Sequence, residues 1–205
     1  MHSVLALIYR LRIAGHITTT DDLPTFVADA WEYAKETEPC YFGGTGEEEK
    51  CRRQVLDLTT TYLNTIPIQN ERPVAIEKRY EAPLIYPLTG EYFGINLVGI
   101  IDLVLEDEQG YIITDFKTAS SSSLCEMQHE LQLTAYSYLL RSIIEQDELR
   151  CEIRQLVKTK TPKVNVYRFP TRTDEHYERF FGLIREYLDV LDRGRCVQLP
   201  PQLAM

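Results

Sequence analysis

The sequence predicts an α/β protein, a mixed central sheet flanked by helices. Three observations point to it. Helical spacing occupies the first 66 residues and returns near 126–144 and 174–194. Between these lie runs dense in β-branched and aromatic residues, joined by short polar turns. The central runs are apolar at both odd and even positions: Val98, Ile100 and Val104 in one set, Leu97, Ile101, Leu103 and Leu105 in the other. A strand of that kind is expected to be covered on both faces.

The elements follow in order. Residues 3–14 are nearly all apolar and read as a buried helix. The short apolar start has no basic leader before it and no small-residue cleavage site after it, so a core helix is expected rather than a signal peptide. Thr20 and Asp21 offer caps for a helix that places Leu23, Phe26, Val27, Ala30, Trp31 and Ala34 on one face. A glycine-rich loop follows. The acids at 47–49 suit the N-terminus of the next helix, which runs to about Ile66. The stretch 72–86 alternates as a strand, and 92–118 reads as two strands joined by a turn at Glu106 to Gly110. A helix over 126–144, a hairpin over 151–170 with Pro162 in its turn, and an amphipathic helix closed at Gly194 complete the chain.

The 205 residues suit one domain with a sizeable core. No apolar run approaches the roughly 20 residues that span a bilayer. The five cysteines (Cys40, Cys51, Cys125, Cys151 and Cys196) include no C-x-x-C pair. They suggest neither a disulfide framework nor a zinc site, and reduced thiols in a cytoplasmic protein are expected. The net charge of −9 argues against a nucleic-acid binder on average. The average hides a patch: residues 150–172 carry seven Lys/Arg against the single acid Glu152.

The hairpin 92–118 concentrates the chemistry. If Glu108-Gln109 is its turn, Asp107 opposes Gly110, and the same antiparallel register sets Asp102 opposite Asp115 with Cβ atoms about 5 Å apart. Lys117 would share their face, two residues along. Two carboxylates between apolar neighbours repel and are costly to desolvate. A hard divalent cation, Mg²⁺ or Mn²⁺, relieves both costs. An ion triad that only ties the hairpin is the competing reading of the same three side chains.

These residues resemble a known pattern. "GIID" at 99–102, "DFK" at 115–117 and "QLTAY" at 132–136 are similar to the G-x-x-D, D-x-K and Q-x-x-x-Y motifs of RecB-type nucleases. These belong to the PD-(D/E)xK superfamily and are related to the CRISPR-associated RecB-like exonucleases. The resemblance implies a restriction-endonuclease-like core, firmest from Val74 to Leu140, within one nuclease domain over 1–205. It makes Asp102 and Asp115 metal carboxylates, adds the carbonyl of Phe116 as a ligand, and makes Lys117 the catalytic lysine. Gln132 and Tyr136 would flank the site and steady a phosphate or the lysine. His2, in "MHSVL", matches the family's histidine on an early helix, a further metal ligand; His129 and Glu77 have weaker claims. Relatives often carry a cysteine-bearing segment before that helix and a terminal cysteine cluster that binds iron and sulfur. Here the cysteines support no such cluster; either this member lacks it or the chain is trimmed at both ends.

The function implied is metal-dependent hydrolysis of DNA, as an exonuclease in repair, recombination or defence. The basic hairpin, with Arg154, Lys158, Lys160 and Lys163, would track a single- or double-stranded DNA backbone. The rival class is a nucleic-acid-binding module of a helicase–nuclease assembly, with a helicase or other repair subunit as partner. A purely structural α/β domain is the third reading.

Overall fold

In the computed structural model of the chain, residues 1–37, 39–44, 46–123 and 126–193 are described. Three helices come first: α1 (His2–Ile13), α2 (Leu23–Thr37) and α3 (Glu47–Thr65), followed by a single 3₁₀ turn at Ile68–Asn70. The strands are β1 (Pro73–Ile85), β2 (Tyr92–Asp107), β3 (Gly110–Ala119), β4 (Arg150–Val157) and β5 (Lys163–Pro170). Helix α4 (Glu126–Ile144) links β3 to β4, and α5 (Asp174–Asp192) follows β5. The five strands lie in chain order, β1-β2-β3-β4-β5. All neighbours are antiparallel except β3 and β4, which are parallel, because the intervening helix returns the chain to the starting end. Among the described residues no helix is long and apolar enough to cross a membrane. Cys40, Cys51 and Cys151 are free thiols; Cys125, Cys196 and the expected closing Gly194 lie outside the described residues.

Local chemistry sets the element ends. Gly46 takes the left-handed conformation (φ 85°) that starts α3, and Glu47–Glu49 place negative charge at its positive dipole end. The β2–β3 turn is held by Asp107, whose Oδ1 accepts from the N–H groups of Gln109 (2.8 Å) and Gly110 (3.1 Å). Asp107 pairs with Gly110, as the expected register requires.

Two cores sandwich the sheet. Helices α4 and α5 bury Leu133, Leu139, Phe180 and Phe181 against Ala82, Leu84, Ile101, Val104 and Ile113. Helices α1–α3 bury Leu5, Ile8, Leu23, Leu58 and Tyr62 against Leu103, Leu105, Ile112 and Phe116. Each of these large side chains contributes about 1.5–3 kcal/mol when fully buried.

The partition corrects two expectations. Ile101 packs with Val104 rather than with Leu103 and Leu105, so the alternation of β2 slips by one residue at Asp102. Strand β1 slips in step. Tyr80, Ala82 and Leu84 face α4 and α5, as does Ala75, whereas Ile76 turns to the other core. Between them Glu77 holds φ +44°, a left-handed value unusual for a side chain of its size. The pairing stays in register on both sides of the slip (Ile76 with Leu103, Lys78 with Ile101), which sets Glu77 opposite Asp102. Second, the sheet is covered on both faces only around β3, β4 and the C-terminal half of β2. Toward its start β2 leaves one side open, with Ile100 54% and Val98 40% exposed.

Candidate active site

The site forms where β2 parts from β3. The described ladder runs from Asp107–Gly110 to Leu103–Thr114 and ends one pair short of Asp102–Asp115. There the side chain of Asp102 takes the place of a backbone acceptor: its Oδ2 receives the N–H of Phe116 at 2.8 Å. The other oxygen, Oδ1, stands 4.0 Å from Nδ1 of His2, in the first turn of α1. The carboxylate of Asp102 thus sits at the strand gap, at the phase slip, rather than squarely on one face.

Asp115, on the α4 side of β3, is 1% exposed. Its carboxyl pKa is pushed up to about 6, chiefly by burial; Lys117 opposes the shift and Asp102 adds to it. Lys117 approaches both oxygens, 2.9 Å from Oδ2 and 3.2 Å from Oδ1, but only the contact to Oδ1 has the direction of a hydrogen bond. Oδ2 is therefore a buried carboxylate oxygen with no hydrogen-bond donor. A buried carboxylate that shares one ammonium in this way remains costly, and a divalent cation beside it would offset more of the cost. Asp115, Asp102, the carbonyl of Phe116 and the ring of His2 are oxygen and nitrogen donors suited to Mg²⁺ or Mn²⁺. Among the described residues no three His, Cys, Asp or Glu side chains already converge around one point, so water or a phosphate oxygen would complete the shell.

Helix α4 supplies the roof. Nε2 of Gln132 donates to the hydroxyl of Tyr136 at 2.9 Å, one helical turn apart. The phenol pKa is raised, first by burial and then by the charge of Asp115, so this hydroxyl keeps its proton. The glycine of "GIID" has a packing role. A Cβ on Gly99 would stand 2.8 Å from Cδ1 of Leu139 and 3.5 Å from the ring of Tyr136, so a side chain there would have to push the end of Leu139 aside. His129 also nears the site: burial, then the charge of Lys117, lowers its pKa.

Glu77 comes to the site's edge by register, and its carboxylate pairs with Arg10 of α1 at 2.6 Å. The sequence signal was its opposition to Asp102, which needed the β1–β2 register to be seen. Gln155 was missed altogether. It pairs with Lys117 across the parallel strands and donates to the carbonyl of Ser123 at 3.4 Å. Tyr167 donates to the carbonyl of Ser122 at 2.6 Å, so β4 and β5 together hold the loop that leaves the site.

The basic hairpin divides. Arg154 is 3% exposed and cannot meet a nucleic acid where it lies, contrary to expectation. Its guanidinium binds Glu71 at 2.6 Å, Glu152 at 3.1 Å and the hydroxyls of Tyr9 and Tyr62 at 2.8 Å, beneath α1 and α3. Arg150 and Arg168 are drawn into the same network through Glu152. Lys158, Lys160 and Lys163 stand apart at the turn end, exposed.

Comparison with known proteins agrees with this geometry. A family model described as the PD-(D/E)XK nuclease superfamily matches residues 1–202. No curated protein matches. A crystal structure from Eubacterium rectale named "Putative exonuclease" superposes with a TM-score of 0.57 at 14% identity, covering 89% of this chain and 71% of that one. A second, SSO0001, gives a TM-score of 0.42 at 13% identity over 91% of this chain and 87% of that one, and carries no argument. The first likeness bears on the fold, a five-stranded mixed sheet flanked by helices of the restriction-endonuclease-like kind.

Proposed function

The chain belongs to the PD-(D/E)XK nuclease superfamily, and on that premise we propose that it is a Mg²⁺- or Mn²⁺-dependent deoxyribonuclease acting as an exonuclease on DNA, in repair, recombination or defence. The observation that carries the reading is the carboxylate of Asp115, buried beside Lys117 and within the field of Asp102, with one oxygen that accepts no hydrogen bond. A triad that only tied the hairpin would satisfy its acceptors. This one leaves Oδ2 with only its 2.9 Å ion contact to Lys117, an oxygen that a divalent cation could share.

Asp102, Asp115, the Phe116 carbonyl and His2 would hold the metal, which when bound would supply a polarised phosphate and a water of lowered pKa. A cation held there would favour the ionised form of Asp115 and would share its oxygens with Lys117. The ammonium of Lys117, 29% exposed, is then available to orient the attacking water and to offset charge as it develops on the phosphate. Tyr136 remains a hydroxyl donor aimed by Gln132 and can steady a nonbridging oxygen. The phase slip fixes the geometry: it lodges Asp102 in the strand gap, against the N–H that precedes the Phe116 carbonyl.

End-labelled single- and double-stranded DNA, incubated with Mg²⁺, Mn²⁺ or EDTA, tests the reading. Metal-dependent release of short products from an end is expected. Cutting that is equally fast in EDTA, or no cutting of DNA in any metal, would sink it.

A further inference from the structure

In a chain of net charge −9, most described lysines and arginines lie within 4.0 Å of a carboxylate. The exceptions are not scattered evenly. Arg12 is occupied by the carbonyl of Gln69, while Lys78 lies over the ring of Tyr80 and Arg172 over that of Phe169. The other five stand together: Lys50 and Arg53 on α3, and Lys158, Lys160 and Lys163 at the β4–β5 turn. All five are exposed.

Four of them face each other. A cleft of about 190 Å³ is lined by Lys50 and Arg53 from one side and by Lys158, Thr159 and Lys160 from the other. Its one acid is Asp57. The spacing of Lys50, Arg53 and Asp57 puts them on one face of α3, the face turned to the β4–β5 turn. Of the three acids of the first turn, Glu48 is engaged with Lys35 and Glu49 with Arg52, which leaves Glu47. The cations thus outnumber the unpaired acids near them, Asp57 and Glu47, by four to two.

The cleft also lies at the working end of the sheet. In the parallel register Lys117 pairs with Gln155 and Ala119 with Val157, and the N–H of Lys158 donates to the carbonyl of Ala119 at 2.7 Å. The turn therefore leaves the sheet two residues beyond Lys117, about 7 Å along the strand. Four mutually repelling cations, with one acid among them, cost stability unless a polyanion visits.

We propose that the cleft between α3 and the β4–β5 turn binds successive backbone phosphates of the nucleic-acid strand that passes through the active site. This rests on the nuclease reading and adds to it a second contact point, on α3, outside the catalytic centre. The strand is gripped by charge alone, so the contact is independent of sequence. Holding the strand at two places favours its staying bound between cuts.

The test uses the full chain and a fluorescent oligothymidylate longer than about 16 nucleotides, with binding measured in EDTA over a range of salt. Lys50→Gln with Arg53→Gln is expected to lower the slope of log affinity against log salt by about 1.4, about 0.7 per lost contact on a single strand. Lys158→Gln with Lys160→Gln should lower it by the same amount. Hydrolysis of the p-nitrophenyl ester of thymidine 5′-phosphate in Mn²⁺, a substrate too short to reach the cleft, should be unchanged in the α3 variant. A slope unchanged in the α3 pair, with the parent still cutting DNA, overturns this inference and leaves the nuclease reading standing. Loss of ester hydrolysis together with a lower melting temperature means that α3 has been disturbed, and overturns it as well. Displacement of the oligonucleotide by polyglutamate at equal charge concentration would mark the cleft as a surface for an acidic protein instead. A parent that neither binds nor cuts the oligonucleotide ends both readings.

Discussion

Lys117 and Asp115 touch, yet their removal should have opposite signatures. The ammonium is no metal ligand, and it competes for the oxygens that would be. Lys117→Ala is expected to leave Mn²⁺ binding intact or tighter while cutting DNA cleavage by about 10²–10³-fold, the usual loss for one such electrostatic contact. Asp115→Asn should lose both. Calorimetry with Mn²⁺ beside a cleavage assay separates the two, and a Lys117→Ala protein that cuts at the parent rate would reduce the pair to a structural tie. Arg154 illustrates the reverse case, a cation whose sequence context suggested DNA and whose surroundings forbid it. Arg154→Met would leave Glu71 charged and without its ion pair, while Glu152 keeps Arg150 and Arg168, at a cost of about 3–5 kcal/mol. Urea denaturation should show that loss, whereas the salt dependence of DNA binding, measured where the variant is still folded, should not change. Nothing in the local sequence separates Arg154 from Lys158. The difference is that Arg154 lies in the body of β4, where α1 and α3 close over it, and Lys158 lies in the turn.

At the scale of elements, helices and strands were legible because their periodicities are strong and their ends carry punctuation such as Asp107 with Gly110 and Gly46 with its acids. The turn of the β2–β3 hairpin fixed the register that joins Asp102 to Asp115, and that register was correct where it is described. The slip at Glu77 and Asp102 was not legible. It leaves the pairing unchanged and alters only which face each residue takes, and period-2 reasoning has no term for two strands that slip together. The slip depends on the left-handed backbone at Glu77, which only glycine adopts without strain. Glu77→Gly should therefore hold or gain stability, since the exposed pair with Arg10 contributes little, and should keep most of the activity. Glu77→Val should be less stable than Glu77→Gly by about 1–2 kcal/mol and, by driving β1 back to regular pleat, withdraw Asp102 from the strand gap. Melting temperature and metal-dependent cleavage, measured on both variants, check it; a valine variant as active as the glycine one would show that the slip does not position the carboxylate.

The molecule as a whole buries the carboxylate of Asp115 at the candidate site, and that makes stability, pH and metal a single measurement. Asp115 has an unfolded pKa of 3.8 and a folded one of about 6. The folded state therefore holds this proton more tightly than the unfolded chain does. The stability it contributes is complete below about pH 4, falls as pH rises through 6, and is gone above. At 1.36 kcal/mol per unit the swing is about 3 kcal/mol. Other carboxylates run the opposite way. Glu152 is an example: burial alone would raise its pKa, but the neighbouring arginines hold it below the ordinary value. The parent's own pH curve mixes these terms, and a difference between variants isolates the one of interest. Asp115→Asn mimics the protonated side chain at every pH. Without metal it should match the parent near pH 4 and exceed it at pH 8, by up to the same 3 kcal/mol. Mn²⁺ binds the ionised carboxylate, so it should raise the parent's melting temperature strongly at pH 8, weakly at pH 5, and that of Asp115→Asn at neither. If Mn²⁺ stabilised parent and variant alike, the cation would be binding elsewhere, and the buried carboxylate would be strain without a purpose.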